Sequence, residues 1–292
     1  MRLSAFLTIA TALVAASARA EPAVLPGTEV VPLASRINGV NYRLLISAPP
    51  GHEQRTGGIQ AVLLLDADYS FPIAHAIGTH LRERRDLPDL LLVSIGYEPQ
   101  ADYRLNRTRD YTPTLSDDPG AYGPEYQKHS GGGPKFLAFI ETELMPLLHA
   151  RYRAAPRPLL VGHSFGGLFA IWALLTRPES LAGAISVSPS LWYDDDFLPR
   201  VEAGLPEARR ALPRKLYAAV GALEGNGNHD MVAGLIGLKK RLTRRRYPKL
   251  QPRIEVLGGE THNSVFPRAL SNGLRYFWPR GAFEISKAPG TR

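Results

Sequence analysis

The chain has 292 residues, no cysteine and a formal net charge of +8. Without thiols it can have no disulfide framework, cysteine nucleophile or Cys-ligated metal, and an oxidising compartment poses it no redox problem. Its length suits one large α/β domain over 21–292 after loss of a leader.

That leader is expected at 1–20: Arg2, an apolar stretch from Ala5 to Ala16 too short to span a bilayer, and Ala18-Arg19-Ala20 as a cleavage site before Glu21. This pattern predicts a secreted or periplasmic protein, with no integral membrane segment once the leader is cut. Much of the positive charge sits in Lys239-Lys240-Arg241-Leu242-Thr243-Arg244-Arg245-Arg246. No aromatic residues are interleaved for base stacking, so this run reads as a solvated helix face and no nucleic-acid partner is expected.

From Val30 to Ser47, two β-rich runs flank Asn38-Gly39, which predicts an antiparallel hairpin. Ala61 to Leu65 is a continuous apolar run, as in a strand buried on both faces, and it ends in Asp66-Ala67-Asp68. A helix is expected from Pro72 to Arg84 and a second buried strand from Leu87 to Gly96. Between Tyr97 and Pro134 the periodicity disappears, which predicts a long functional loop. Phe136, Phe139, Ile140, Leu144, Leu147 and Leu148 then recur at helical spacing within 134–152. Further strands are expected at 181–187, 215–221 and 253–257, a linker at 199–213, and helices at 230–246 and 264–278.

Pro158-Leu159-Leu160-Val161-Gly162-His163-Ser164-Phe165-Gly166-Gly167 reads as strand, sharp turn and helix. The Gly-x-Ser-x-Gly pattern suits a strained turn that lifts a serine hydroxyl clear of a sheet, with glycines allowing strand and helix to approach closely. Ser164 is therefore the candidate nucleophile. A serine hydroxyl needs a base, and in the chain order Ser, acid, His only His229 and His262 follow it. His262 stands at the end of a strand in a glycine-flanked loop and is preferred; His163 is expected to point away from the serine. Glu224, at the end of the preceding strand, is the first choice of acid. Asp230, the run Asp194-Asp195-Asp196, and a dyad without an acid are the alternatives. The oxyanion is expected at the N–H of Phe165 and at that of Ala67 or Asp68. No H-E-x-x-H, phosphate-binding loop or dinucleotide fingerprint occurs, so no metal or cofactor is expected.

With these residues placed, the chain resembles the esterase-D-like branch of the α/β-hydrolases. The resemblance rests on Leu65-Asp66-Ala67-Asp68, Asn106-Arg107-Thr108-Arg109-Asp110-Tyr111-Thr112-Pro113, Gly131-Gly132-Gly133, the Ser164 turn, Ser188-Pro189-Ser190-Leu191-Trp192 and Gly259-Glu260-Thr261-His262. Within that branch it looks most like the periplasmic esterases that open catecholate trilactone siderophores of the enterobactin type. The resemblance implies a mostly parallel sheet flanked by helices, a serine esterase acting on a small-molecule ester such as a ferric siderophore, and contacts to an anionic substrate from Arg107 and Arg109, with Trp192 beside them. Ala67 departs from the glycine that many relatives carry there. A general carboxylesterase, feruloyl-type or acyl-thioester hydrolase is the second reading, and a ligand-binding protein on an inactive hydrolase scaffold the third.

Overall fold

Short runs of aliphatic residues buried on both faces set the frame of the computed structural model, which describes residues 23–117, 120, 122–195, 197–207, 214–225, 229–244 and 247–283. The expected leader lies outside these residues. The strands are β1 (Thr28–Ala34), β2 (Asn41–Ser47), β3 (Gln60–Leu64), β4 (Leu90–Tyr97), β5 (Leu159–His163), β6 (Gly183–Val187), β7 (Arg214–Gly221) and β8 (Leu250–Leu257). They form one sheet in the order β1-β2-β4-β3-β5-β6-β7-β8. β1, β2 and β4 pair antiparallel, and every pairing from β4 through β8 is parallel. The expected hairpin is present, but Asn38-Gly39 sits in a longer connection closed by Ser35 N–H to Val40 O, at 2.9 Å, and not in a two-residue turn. Pro252, which has no N–H, is accommodated because β8 is an edge strand.

Successive side chains of a strand point to opposite faces, and the two faces are covered by different helices. On one side Val62, Leu64, Val161, Ile185 and Val187 pack with α1 (Ala67–Glu83) and the C-terminal helix Val265–Phe277. The latter buries Val265, Phe266, Ala269, Leu270 and Leu274, the spacing of one helical stripe. On the other side Leu63, Leu160, Ala184 and Ala218 meet the remaining large helices. Those are α2 (Tyr103–Tyr111), α4 (Gly133–Phe139) with α5 (Met145–Tyr152), α6 (Phe165–Thr176), α7 (Phe197–Gly204) and α8 (Met231–Arg244); α3 is the short Pro124–Gln127 and the C-terminal helix is α9. The expected helix over 134–152 is interrupted by a wider π turn at Ile140–Leu144, next to Pro146, which cannot donate the regular backbone bond.

Three expectations change. α1 begins at Ala67, five residues before Pro72. The stretch 97–134 is not an irregular loop, since it carries α2, capped by the Asp102 side chain, which accepts from Leu105 N–H at 3.0 Å. The linker 199–213 begins inside α7. Among the described residues no helix is long and apolar enough to cross a membrane. This is the α/β-hydrolase arrangement. Its strand order reverses at β3, which has β4 on one side and β5 on the other, and crevices for ligands open at such a point beyond the carboxyl ends of the strands.

Candidate active site

Ser164 joins β5 to α6 at that crevice with φ 59° and ψ −118°, a region that a residue with a side chain rarely occupies. Hydrogen bonds hold it there: Ser164 N–H donates to Val187 O at 2.9 Å, and Ser164 O accepts from Leu168 and Ser190 N–H at 3.0 and 3.1 Å. Gly162 has to be glycine, because a Cβ there would collide with the Gly166 carbonyl. The half-buried Ser164 Oγ lies 3.3 Å from Ser190 Oγ.

Glu224 and His262, the expected acid and base, form an ordered pair. β7 ends at Gly221, and the 3-10 turn Ala222–Glu224 folds the Glu224 carboxylate back against it. Oε1 accepts from Gly221 N–H and from Ser188 Oγ, both at 2.7 Å, leaving Oε2 to face His262 Nδ1 at 2.7 Å. Burial works to raise the Glu224 carboxyl, but the bonds from His262, Ser188 and Gly221 outweigh it and hold the group below its ordinary value. Glu224 is thus an anion that accepts the Nδ1 proton, which leaves Nε2 of His262 free to take a proton from elsewhere. His262 lies in the loop between β8 and α9, half-exposed.

The expected rivals for the acid are engaged otherwise. Asp230 Oδ1 accepts from Ala233 N–H at 2.8 Å, which makes it the cap of α8. Asp194 accepts from Thr114 Oγ1 at 2.8 Å and pairs with Arg200, Asp195 is exposed, and Asp196 lies outside the described residues. His229, the other histidine after the nucleophile, is stacked on Trp192 with ring centroids 3.9 Å apart.

Phe165 and Ala67 are the first residues of α6 and α1, so their N–H groups belong to the first turns, which have no intrahelical acceptor. The two helix starts are close, since a Cβ on Gly166 would sit 3.6 Å from Asp66 Oδ2. Asp68 N–H shares the first turn of α1, while its side chain is exposed.

Arg107 and Arg109 do not present free cations to a substrate, contrary to expectation. Arg107 is 3% exposed. Its Nε and Nη2 hold the two Asp66 oxygens at 2.8 and 3.2 Å, Nη2 also donates to His163 O at 2.8 Å, and Nη1 donates to Tyr122 OH at 3.0 Å. A buried arginine needs this full set of partners to keep its charge. Arg109 pairs with buried Asp110 at 2.8 and 3.0 Å, which also accepts from Tyr42 and Tyr97. The Trp192 ring lies 5.8 Å from that of Phe165, the residue after Ser164. Among the described residues no group of three or more His, Asp or Glu is gathered as metal ligands.

Sequence reasoning assigns no role to Ser188, Ser190, Asp66, Tyr69 or His163. Asp66, Ser188, Ser190 and His163 stand in stretches that carry the resemblance, but the sequence signals no contact for them beyond their place after or at the end of a strand. His163 in particular faces the base. Its Nε2 is 2.7 Å from His262 O and its Nδ1 is 3.0 Å from Tyr69 OH. A carbonyl can only accept, so Nε2 carries the proton; the single Tyr69 O–H proton is shared between the unprotonated Nδ1 and Asp66 Oδ2, which lies 3.2 Å from the hydroxyl. Burial, then the charges of His262 and Arg107, push the His163 imidazole down to about 3, so it is neutral at ordinary pH.

The family described as putative esterase matches residues 35–269. The chain is 30% identical over 263 residues to the ferri-bacillibactin esterase BesA of Bacillus subtilis (strain 168), covering 86% of this chain and 90% of that one. Its fold superposes on the BES protein of Bacillus cereus with a TM-score of 0.77, at 26% identity over 89% of this chain and 98% of that one. An IroE-like serine hydrolase of Shewanella oneidensis gives a TM-score of 0.72, at 26% identity over 85% and 79% of the two chains. The strained serine turn, the sheet order and these matches agree: the chain is an ester-hydrolysing enzyme and belongs to the putative esterase family.

Proposed function

We propose that this esterase acts outside the cytoplasm, after removal of residues 1–20, and opens the ester bonds of catecholate trilactone siderophores with Ser164 as its nucleophile. The observation that carries the mechanism is the Glu224–His262 pair at 2.7 Å, fixed from behind by Ser188 and Gly221, beside a serine at φ 59°.

As Ser164 Oγ turns from Ser190 to attack the ester carbonyl, His262 Nε2 takes its proton and Glu224 stabilises the resulting imidazolium. Hydrogen bonds between nucleophile and base commonly close only in the substrate complex. The negative charge that forms on the carbonyl oxygen is met by the N–H groups of Phe165 and Ala67, at the positive ends of two helices. His262 returns the proton to the leaving alkoxide, whose C–O bond breaks, and then activates the water that hydrolyses the acyl-enzyme. The cycle needs no cofactor.

The substrate class rests on similarity to the ferri-bacillibactin esterase and on a cleft lined by Pro189 and Leu191, the residues on either side of Ser190, whose hydroxyl is 3.3 Å from that of Ser164. Pro189, Leu191, Trp192, Met231, Gly234 and Arg241 line a cleft of about 210 Å³. An apolar cavity of about 150 Å³ admits a benzene ring. This cleft suits one aryl group, with the Trp192 ring as a stacking face; Arg241 at its edge is paired with the buried Glu202 at 3.2 Å and, like Arg107, is not a free cation. Product analysis after incubation with ferric and iron-free catecholate trilactones, feruloyl esters and short acyl esters tests the reading. Preferential opening of the trilactones is expected; equal, slow turnover of every ester would remove the siderophore assignment.

A further inference from the structure

We propose that His163 is a positioning residue for His262, anchoring the backbone of the base while Glu224 anchors its ring. The proposal rests on the reading of His262 as the base. His262 lies in a turn whose nearby bonds, Thr261 N–H to Ser264 Oγ at 2.9 Å and Ser264 Oγ to Glu260 Oε2 at 2.7 Å, are exposed. Exposed hydrogen bonds of this kind restrain a loop weakly. The buried His163 Nε2–H, at 2.7 Å from the His262 carbonyl, ties that turn to the end of β5.

His163 is itself held on every side. Tyr69 OH approaches its Nδ1 at 3.0 Å, Arg107 Nη2 binds its carbonyl at 2.8 Å, and Phe266 packs on its ring with centroids 6.0 Å apart. Its ring lies against that of His262, centroids 4.5 Å apart and planes tilted by 38°. Because His163 immediately precedes Ser164, one residue links the backbone that presents the nucleophile to the backbone that presents the base. This is the shortest of the links between them; the other runs through Glu224 and Ser188 to the end of β6. The position demands a neutral side chain with a donor at the ε position and an acceptor at the δ position, which the Nε2–H tautomer supplies.

This requirement gives a sharp comparison. The amide of His163→Gln can place its N–H₂ where Nε2 stands, whereas that of His163→Asn reaches only the δ position and leaves the His262 carbonyl without its donor. The experiment measures kcat and KM on p-nitrophenyl acetate for the full chain and for His163→Gln, His163→Asn, His163→Leu and His262→Ala, with a thermal melt of each. A misplacement of the reacting groups by about 1 Å costs up to about 100-fold. His163→Leu and His163→Asn are expected to lose about tenfold or more in kcat with KM changed less than about twofold, the pattern of a defect in the chemical step. His163→Gln is expected to recover most of that loss. Equal kcat for the Asn and Gln variants, or an undiminished kcat in a folded Leu variant, overturns the proposal. If the Leu variant does not fold, the Asn and Gln pair decides. Wild-type turnover by His262→Ala would instead overturn the assignment of the base.

Discussion

Arg107 and Asp66 form a buried two-point ion pair that ties the two corners of the active site together. Arg107 Nε and Nη2 reach the Asp66 oxygens at 2.8 and 3.2 Å, and the same Nη2 reaches the His163 carbonyl at 2.8 Å. Asp66 opens α1 and His163 ends β5, so a cation that looks like a substrate contact in the sequence acts as a brace between the two helix starts that would face the oxyanion.

Removing that brace strands a carboxylate. Arg107→Met leaves Asp66, 1% exposed, with no cation, and breaking a buried pair in this way costs about 3–5 kcal/mol. A fall of that size in the unfolding free energy from urea titration, seen as a lower midpoint, is expected together with loss of activity. Arg107→Lys recovers only part of it, since an ammonium lacks the planar fork that binds two oxygens at once. An unchanged midpoint in Arg107→Met would show that the pair contributes no stability.

The choice of acid is tested by two variants. Glu224→Gln retains an oxygen for Ser188 and Gly221 but can present an amide donor to His262 Nδ1, which favours the wrong tautomer. A fall in kcat of about 100-fold to 10,000-fold is expected. Asp230→Ala removes the cap of α8 at a cost of about 1 kcal/mol in stability and leaves kcat near wild type. The opposite ranking of the two kcat values would make Asp230 the acid.

Acid should destabilise the protein through His163. Its folded-state value of about 3 lies below the ordinary 6.5, so between these values the unfolded chain binds more protons than the folded one. Stability is therefore complete above pH 6.5 and declines as the pH falls from there toward 3. Glu224, whose carboxyl is also held low, adds a loss that sets in only below its ordinary value of 4.5. Melting temperatures at about pH 7.5 and about pH 5 should fall further in the wild type than in His163→Gln, which has no group to titrate there. Equal falls would contradict the assignment of a neutral buried imidazole.

Much of the frame can be read from the sequence because burial on both faces leaves a plain mark. β3, β4 and β5 are mostly aliphatic and buried almost throughout, and α9 shows a single clean stripe. α2 leaves no such mark, because the residues it buries are Asn106, Arg107, Thr108, Asp110 and Tyr111; a helix anchored through charges has no apolar period. Its one local signal is the Asp102 cap. In the site, Ser164, Glu224 and His262 stand out because each follows a strand in the expected chain order. The contacts of Ser188 with Glu224 and of His163 with His262 join residues 36 and 99 apart, and no pattern along the chain encodes which loops meet at the crevice.

The aromatic wall should control binding more than chemistry. Trp192→Ala removes the ring stacked on His229, and an aromatic contact of about 0.5–1.5 kcal/mol corresponds to a rise in KM of about twofold to tenfold. The rise is expected with esters that carry an aryl group and not with an aliphatic ester such as ethyl acetate, with kcat changed little on either. Equal effects on both substrates would place the aryl group elsewhere.

The most direct test of the account is hydrolysis of p-nitrophenyl acetate by purified Ser164→Ala beside the wild type. Removing a serine nucleophile that acts with a base should lower kcat by about 1,000-fold or more, with the melting temperature little changed. Turnover at the wild-type rate by the folded variant would contradict the serine mechanism.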